Sequence, residues 1–204
     1  MNNETIHIEH RDYTGAKLGM WLFLFTEILL FGGMFLLYAV YRTVNTAEFH
    51  EAAREMSVTL GAANTVILLS SSLTMALSIS AIKRGEKARS LAYQAATVLL
   101  GLAFLANKYV EWSGHIHHGL YPDSPELAAM SHGENLYFGL YYVMTGIHGL
   151  HVLIGAGIIC YTFVLTRLGK VSAADYIKLE NTGLFWHLVD VIWIYLFPLF
   201  YLIT

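Results

Sequence analysis

The chain has 204 residues, of which 56% are hydrophobic and 13% charged, and its formal net charge is −3 at pH 7. An ordinary soluble domain carries about 25% charged residues, so the composition excludes one. The basic residues form only one short cluster, between 83 and 89, which argues against a nucleic-acid-binding surface. The single cysteine, Cys160, excludes an internal disulfide and a CxxC metal site.

The first 17 residues are polar and are predicted to form a cytoplasmic N-terminal segment. They lack the basic start of a secretory signal. The apolar run that follows, 18–41, is longer than the signal core of about 7 to 15 residues, so we expect it to remain in the protein as a membrane anchor.

Five apolar segments are long enough to cross a membrane, since a helix needs about 20 mostly apolar residues to span a hydrocarbon core about 30 Å thick. Backbone groups in lipid must bond within their own segment, which predicts that each segment is helical. The predicted helices are 18–41, 58–82, 91–112, 136–165 and 182–203. The sequence thus predicts an all-α bundle of five transmembrane helices, with 18–204 as a single transmembrane domain.

The basic residues of the loops predict the orientation. One side of the bundle has nine of them: Arg11, Lys17, Lys83, Arg84, Lys87, Arg89, Arg167, Lys170 and Lys178. The other side has only Arg42 and Arg54. The positive-inside rule therefore predicts a cytoplasmic N-terminus and a C-terminus outside, in the periplasm.

Charged residues inside the predicted helices are candidate site residues, because each costs at least about 2.5–3.5 kcal/mol on insertion scales. Glu27, in WLFLFTEILLF, is either a structural carboxyl that bonds to a neighbouring helix or a group that titrates or steers protons. Lys108 and Glu111 are three residues apart near the outer end of the third helix. We expect them to pair while Lys108 extends to the membrane interface.

Histidines mark the last two helices. His148 and His151, in TGIHGLHVLIG, are predicted to share one helix face. His187 and Asp190 repeat this spacing in LFWHLVDVIW, where Asp190 could accept a proton from His187, or each could bond to the fourth helix. The segment GHIHHG, 114–119, is predicted to lie beyond the end of the third helix. Such residues could bind haem or non-haem metal, but we favour packing contacts, because no second histidine pair exists.

Aromatic and small residues predict which surfaces meet lipid and which meet other helices. Tryptophans and tyrosines are typical of membrane interfaces and lipid-facing surfaces. This prediction covers Trp21, Trp112, Trp186 and Trp193. Small residues let helices approach closely, so Ser70, Ser71 and Ser72 and the glycines of the fourth helix predict packing faces.

Motifs in all five predicted helices resemble subunit III of the haem-copper terminal oxidases. The matching stretches are KLGMWLFLFTE from Lys17, NTVILLSS from Asn64, KYVEW from Lys108, YFGLYYVMTGIHGLH from Tyr137 and FWHLVDVIW from Phe185. HGLH and the WHLVD segment are the most specific of these. The chain is similar to the five-helix bacterial form, which lacks the first two of the seven helices in the longest members.

The resemblance implies a non-catalytic subunit in a bacterial cytoplasmic membrane. Haem and copper would lie in partner subunits, and this chain would pack mainly beside subunit I, with subunit II in the same complex. It would bind phospholipid in a groove of its bundle and help to preserve turnover and proton uptake. The implied polar interhelical or lipid-groove positions are His148, His151, His187, Asp190, Trp186, Lys108 and Glu111, with Glu27 as the buried carboxyl; none is catalytic or a metal ligand.

Three alternatives stay open at this point. Some quinol-oxidising relatives have Asp where this chain has Glu27, which favours cytochrome c as the electron donor over quinol. A quinol oxidase or nitric oxide reductase would still use the same fold. A membrane metalloenzyme built on the histidines is a different class. A small transporter is disfavoured, because the sequence has no inverted repeat or interrupted helix pair.

Overall fold

A computed structural model of the protein describes residues 13–203, and residues 1–12 of the predicted N-terminal segment lie outside this range. Five long helices are long and apolar enough to cross a membrane: α1 (Tyr13–Val44), α3 (Val58–Lys83), α4 (Lys87–His117), α6 (His132–Arg167) and α7 (Ile177–Tyr201). Two short helices lie in the connections: α2 (Thr46–Ala53) and α5 (Pro125–Ala128). The prediction of an all-α protein with five membrane-spanning helices is confirmed.

Some helices end at other residues than predicted, because glycine does not always end a helix and proline and serine can begin one. Helix α4 continues to His117, so the prediction that GHIHHG lies wholly beyond the helix is wrong. Gly114 does not interrupt it; the chain leaves helical geometry at His118 and turns at Gly119, which has φ +73°. Between α4 and α6, the chain forms α5, because Pro125 suits a first helical turn and the Ser124 hydroxyl accepts the amide of Leu127.

The connection between α3 and α4 is a tight turn that makes the two helices antiparallel neighbours. Gly85 adopts φ +77°, a conformation that glycine tolerates without strain. The Gly85 amide donates to the Ile82 carbonyl and the Glu86 amide to the Ala81 carbonyl, both at 3.0 Å. This pattern closes the carboxyl end of α3 and lets α4 begin at once.

Helix α7 is the most deeply buried of the five spanning helices and contacts α1, α3 and α6. Trp186 and Trp193 on α7 are fully buried, whereas Trp21 on α1 is 60% exposed. The prediction that tryptophans face lipid or the interface is therefore wrong for the two on α7. The reason is packing space: a Cβ added at Gly101 or Gly155 would lie 2.8 Å from the Trp186 ring. Glycines on α4 and α6 thus make room for this side chain.

Helix α1 is peripheral. Its fully buried side chains are Leu24, Phe31 and Tyr38, which recur every seven residues and form a narrow packing seam. Near the start of α1, Lys17 lies 3.1 Å from Glu180 of α7, and the same carboxylate lies 3.2 Å from Lys83 at the end of α3. These contacts put the beginnings of α1 and α7 and the α3–α4 turn at one end, called here the basic end. Its location in the cytoplasm stays a prediction.

Candidate functional site

Glu27 and His151 form a polar contact between α1 and α6. Oε2 of Glu27 lies 2.9 Å from Nε2 of His151, and each side chain is only 13% exposed. The other ring nitrogen, Nδ1, lies 2.7 Å from the carbonyl oxygen of Ile147. Since a carbonyl only accepts, Nδ1 carries a hydrogen. The contact at Nε2 then holds one proton, either on the carboxyl or on the imidazole. This hydrogen bond joins α1 to α6 inside the bundle.

A second group, the lysine cluster, consists of Lys108 and Glu111 of α4, Tyr141 of α6 and Tyr201 of α7. The Lys108 ammonium donates to Glu111 Oε2 at 3.0 Å, to the Tyr141 hydroxyl at 2.8 Å and to the Tyr201 hydroxyl at 2.9 Å. Both phenols donate to the other carboxyl oxygen, Oε1, at 2.9 and 2.6 Å. The cluster joins three helices and uses all three ammonium hydrogens.

The position of Lys108 corrects one prediction and confirms another. Pairing with Glu111 is present, but the Lys108 side chain is only 8% exposed and does not extend to the membrane interface. The bundle interior provides the hydrogen-bond acceptors that Lys108 would otherwise find at the interface: one carboxylate and two hydroxyl groups. Tyr141 and Tyr201 were missed as site residues. A sequence signal exists for Tyr141, which lies one turn from Tyr137 on a helix face that carries His148 further along, but the sequence has no such signal for Tyr201.

His148 and His151 do not act as a pair. His148 is fully buried, and its ring centroid lies 5.5 Å from that of Phe104 and 5.4 Å from that of Trp193. It is an aromatic packing residue in the bundle interior. His151, by contrast, turns toward α1 and Glu27. The two histidines thus contact different helices: His148 packs against α4 and α7, and His151 bonds to α1.

Polar side chains of α7 bond to hydroxyl groups of α3. The Trp186 indole donates to the Ser71 hydroxyl at 3.0 Å, and the His187 Nδ1 lies 2.7 Å from the Ser72 hydroxyl. His187 therefore bonds neither to Asp190 nor to the fourth spanning helix, contrary to both alternatives considered. Asp190 is buried at 3% exposure, and its oxygens make no hydrogen bond of ordinary length within residues 13–203. Its polar neighbour is also Ser72.

The histidines do not converge on a metal-binding arrangement in the described part of the chain. No group of three or more His, Cys, Asp or Glu side chains that could hold a metal occurs between residues 13 and 203. Within GHIHHG, His115 is buried against the Tyr141 ring at 5.6 Å, while His117 and His118 are exposed. These residues therefore give the metalloenzyme alternative no ligand set.

Comparisons with known proteins agree with this architecture. Residues 2–204 match the family model described as cytochrome c oxidase subunit III. A cytochrome c oxidase subunit 3 from Synechocystis sp. is 35% identical over 97% of this chain and 78% of its own length. A probable quinol oxidase subunit 3 from Staphylococcus haemolyticus is 31% identical over 100% of this chain and 97% of its own length. A heme-copper oxidase subunit I+III from Aeropyrum pernix is 28% identical over 97% of this chain, which spans 24% of that relative.

The family match extends over nearly the whole chain and includes all five spanning helices. It also includes both polar groups described above, the Glu27–His151 pair and the lysine cluster. These relatives are named as subunits 3 of a cytochrome c oxidase and of a quinol oxidase. The chain therefore belongs to the cytochrome c oxidase subunit III family of the haem-copper oxidases and is a multi-pass protein of the bacterial inner membrane.

Proposed function

We propose that this chain is the non-catalytic subunit III of its oxidase, which stabilises the complex while haem and copper lie in subunits I and II. The observation that carries the proposal is the closure of the lysine cluster. Its ammonium, carboxylate and phenols satisfy one another inside the bundle. A buried charge pair bonded in this way fixes helix geometry and leaves no open ligand position for a redox centre.

The main partner in this proposal is subunit I, with subunit II in the same complex. The Aeropyrum relative supports the contact with subunit I, because its name joins subunits I and III in one chain. A covalent fusion requires the two parts to lie close together in the membrane. The proposed orientation, with the basic end in the cytoplasm, follows the positive-inside rule.

Bound phospholipid is the third part of the proposal. Two apolar grooves on the bundle surface support it. One, of about 360 Å³, lies between α4 and α6 beside Leu99 and Phe163, and the other, of about 270 Å³, lies between α1 and α7 beside Phe35 and Tyr195. Both have the lining that acyl chains need. The interior residues His148, Asp190 and Trp186 line neither groove, so their proposed role is to pack helices together rather than to contact lipid.

Purification of the native complex through a tag on this chain tests the assignment of partners. We expect subunits I and II to co-purify in equal amounts, together with haem absorbance, because the chain is proposed to be part of the oxidase. The same procedure on an untagged strain is the control. Recovery of the tagged chain alone from mild detergent, with stoichiometric iron or copper, would contradict the proposal.

The electron donor separates cytochrome c oxidase from quinol oxidase. The Staphylococcus relative is named a probable quinol oxidase subunit 3, which makes quinol the alternative electron donor. We propose that cytochrome c is the electron donor, because this chain has Glu27 at the position where some quinol-oxidising relatives have Asp. The purified complex is expected to oxidise reduced cytochrome c; oxidation of quinol alone would assign the chain to a quinol oxidase instead.

Glu27→Gln tests a proton-linked role of the Glu27–His151 pair. Glutamine can still bond to His151 Nε2, but it cannot release a proton, so the complex should assemble normally while oxygen consumption falls several-fold. Both are measured on the purified complex, over a range of pH. Glu27→Leu removes the interhelical bond as well, which costs on average about 0.6 kcal/mol in membranes. A Glu27→Gln complex with unchanged turnover at every pH would leave the pair a purely structural contact.

A further inference from the structure

One ring nitrogen of His187 has no hydrogen-bond partner at the side of the bundle. Nδ1 lies 2.7 Å from the Ser72 hydroxyl of α3. The other nitrogen, Nε2, makes no hydrogen bond with any group of residues 13–203, and the imidazole is only partly buried. A neutral imidazole donates through one nitrogen and accepts through the other. In either tautomer, Nε2 is therefore a donor or an acceptor that the described residues do not pair.

The depth of His187 shows what kind of partner it needs. His187 follows the first residue of α7, Ile177, by ten positions, which is about 15 Å at 1.5 Å per residue. In a hydrocarbon core about 30 Å thick, this level lies near the middle of the membrane, where there is no water to bond to. Acyl chains have neither donors nor acceptors, so a polar atom that faces them is costly. A polar group of a neighbouring protein removes this cost.

The surface around His187 is otherwise apolar. It is called here the α3/α7 face and consists of Leu69, Ser72 and Leu73 of α3 with His187 and Ile194 of α7. Its leucines and its isoleucine are exposed. Because α3 and α7 pack against each other, their outer sides form one continuous surface. None of these residues lines the two apolar grooves proposed for lipid, so the α3/α7 face is a separate surface.

The occupant of the α3/α7 face must supply apolar contact and one hydrogen bond at mid-membrane depth. A transmembrane helix meets both requirements, since its apolar side chains pack while a polar side chain bonds across. A hydroxyl or amide group suits either tautomer of His187, because it both donates and accepts. We propose that the α3/α7 face binds a transmembrane helix of subunit I that places a hydroxyl or amide side chain against Nε2 of His187. This inference rests on the proposed partnership with subunit I and assigns that contact to one face.

Photochemical cross-linking tests which molecule covers the face. A benzophenone-bearing amino acid replaces Leu69 on the α3/α7 face or, as the control, Leu150 on α6; these leucines are 48% and 53% exposed. Native membranes are irradiated, and the adducts of this chain are identified by mass spectrometry. Position 69 should give an adduct with subunit I in several-fold higher yield than position 150. Equal yields, or adducts of position 69 with lipid, subunit II or a second copy of this chain in place of subunit I, would overturn the inference.

Two amide substitutions separate the outward bond of His187 from its bond to Ser72. The amide of His187→Gln reaches as far as Nε2, whereas the shorter His187→Asn reaches only as far as Nδ1. The purified complex is washed with increasing detergent, and the amount of this chain that stays bound per subunit I is measured. His187→Gln should stay bound as the wild type does, while several-fold less of His187→Asn should remain.

The opposite order would show that the bond to Ser72 is the one that matters, and it would overturn the inference, as would equal behaviour of the two amide variants. Failure of subunit I to co-purify with the wild-type chain would instead overturn the proposed function.

Discussion

Glu111→Gln is expected to destabilise the bundle by about 3–5 kcal/mol, because it leaves the Lys108 ammonium buried without a counter-charge. The exposed fractions of the two side chains, 8% for Lys108 and 2% for Glu111, leave little access for water to compensate. The readout is the temperature at which this chain unfolds or separates from the purified complex. A large fall in that temperature is the expected result.

Two controls make this prediction specific. Lys108→Met combined with Glu111→Gln removes both charges and keeps an amide oxygen that the phenols of Tyr141 and Tyr201 can reach, so it should recover most of the loss. Glu51→Gln breaks a pair with the same three-residue spacing, Glu51 with Arg54, whose side chains are 62% and 69% exposed. It should have little effect. If the double variant is as unstable as Glu111→Gln, the loss does not come from the uncompensated charge.

Trp186→Ala is expected to cost about 3 kcal/mol, the low end of the range for removing a buried tryptophan. The low end applies because apolar side chains gain little by leaving lipid, whereas the cavity and lost packing remain. The indole fills the space between Gly101 and Gly155, and its N–H bonds to Ser71. The measurement is again the unfolding temperature of the chain in the purified complex.

Trp21→Ala provides the matched control, since it removes the same side chain from a position that is 60% exposed on α1. Its effect should stay within about 0.5 kcal/mol, as for surface substitutions in general. Trp186→Phe should fall between the two, because it keeps much of the packing and loses the bond to Ser71. Equal effects of Trp186→Ala and Trp21→Ala would contradict the assignment of Trp186 to the bundle core.

The helices could be predicted from the sequence because their signal is local. An apolar run of sufficient length in lipid has no alternative to a helix, so the five spans follow from composition alone. The bounds were less accurate where a weak breaker had to be judged. At Gly114, the chain remains helical, and α4 extends to His117.

The partners of the polar residues could not be predicted in this way. Helical spacing indicates which residues share a face, but not which helix that face meets. Glu27 and His151 are 124 residues apart in sequence, and Lys108 and Tyr201 are 93 apart. A lysine in a membrane helix is expected to extend to the interface when no hydrogen-bond acceptor for it lies in the bundle interior, and this was assumed for Lys108. Acceptors for Lys108 come from α6 and α7, and no local pattern in the sequence of α4 predicts them.

The burial of the tryptophans likewise depends on residues of other helices and could not be predicted from their own helix. A tryptophan in a membrane helix is typical of the interface, and Trp21 fits that pattern. Trp186 departs from it because glycines on two other helices leave a space of its shape. Such complementarity involves three helices at once, so it becomes visible only when the fold is known.

In the proposed function, this chain stabilises the oxidase without carrying its redox centres. The most direct measurement is the content of haem and copper in the complex purified from a strain that lacks this chain, compared with the complete complex. We expect the same haem and copper per subunit I in both complexes; without this chain, activity should begin near normal and be lost sooner during turnover. A loss of haem or copper in proportion to the missing chain would contradict this non-catalytic role.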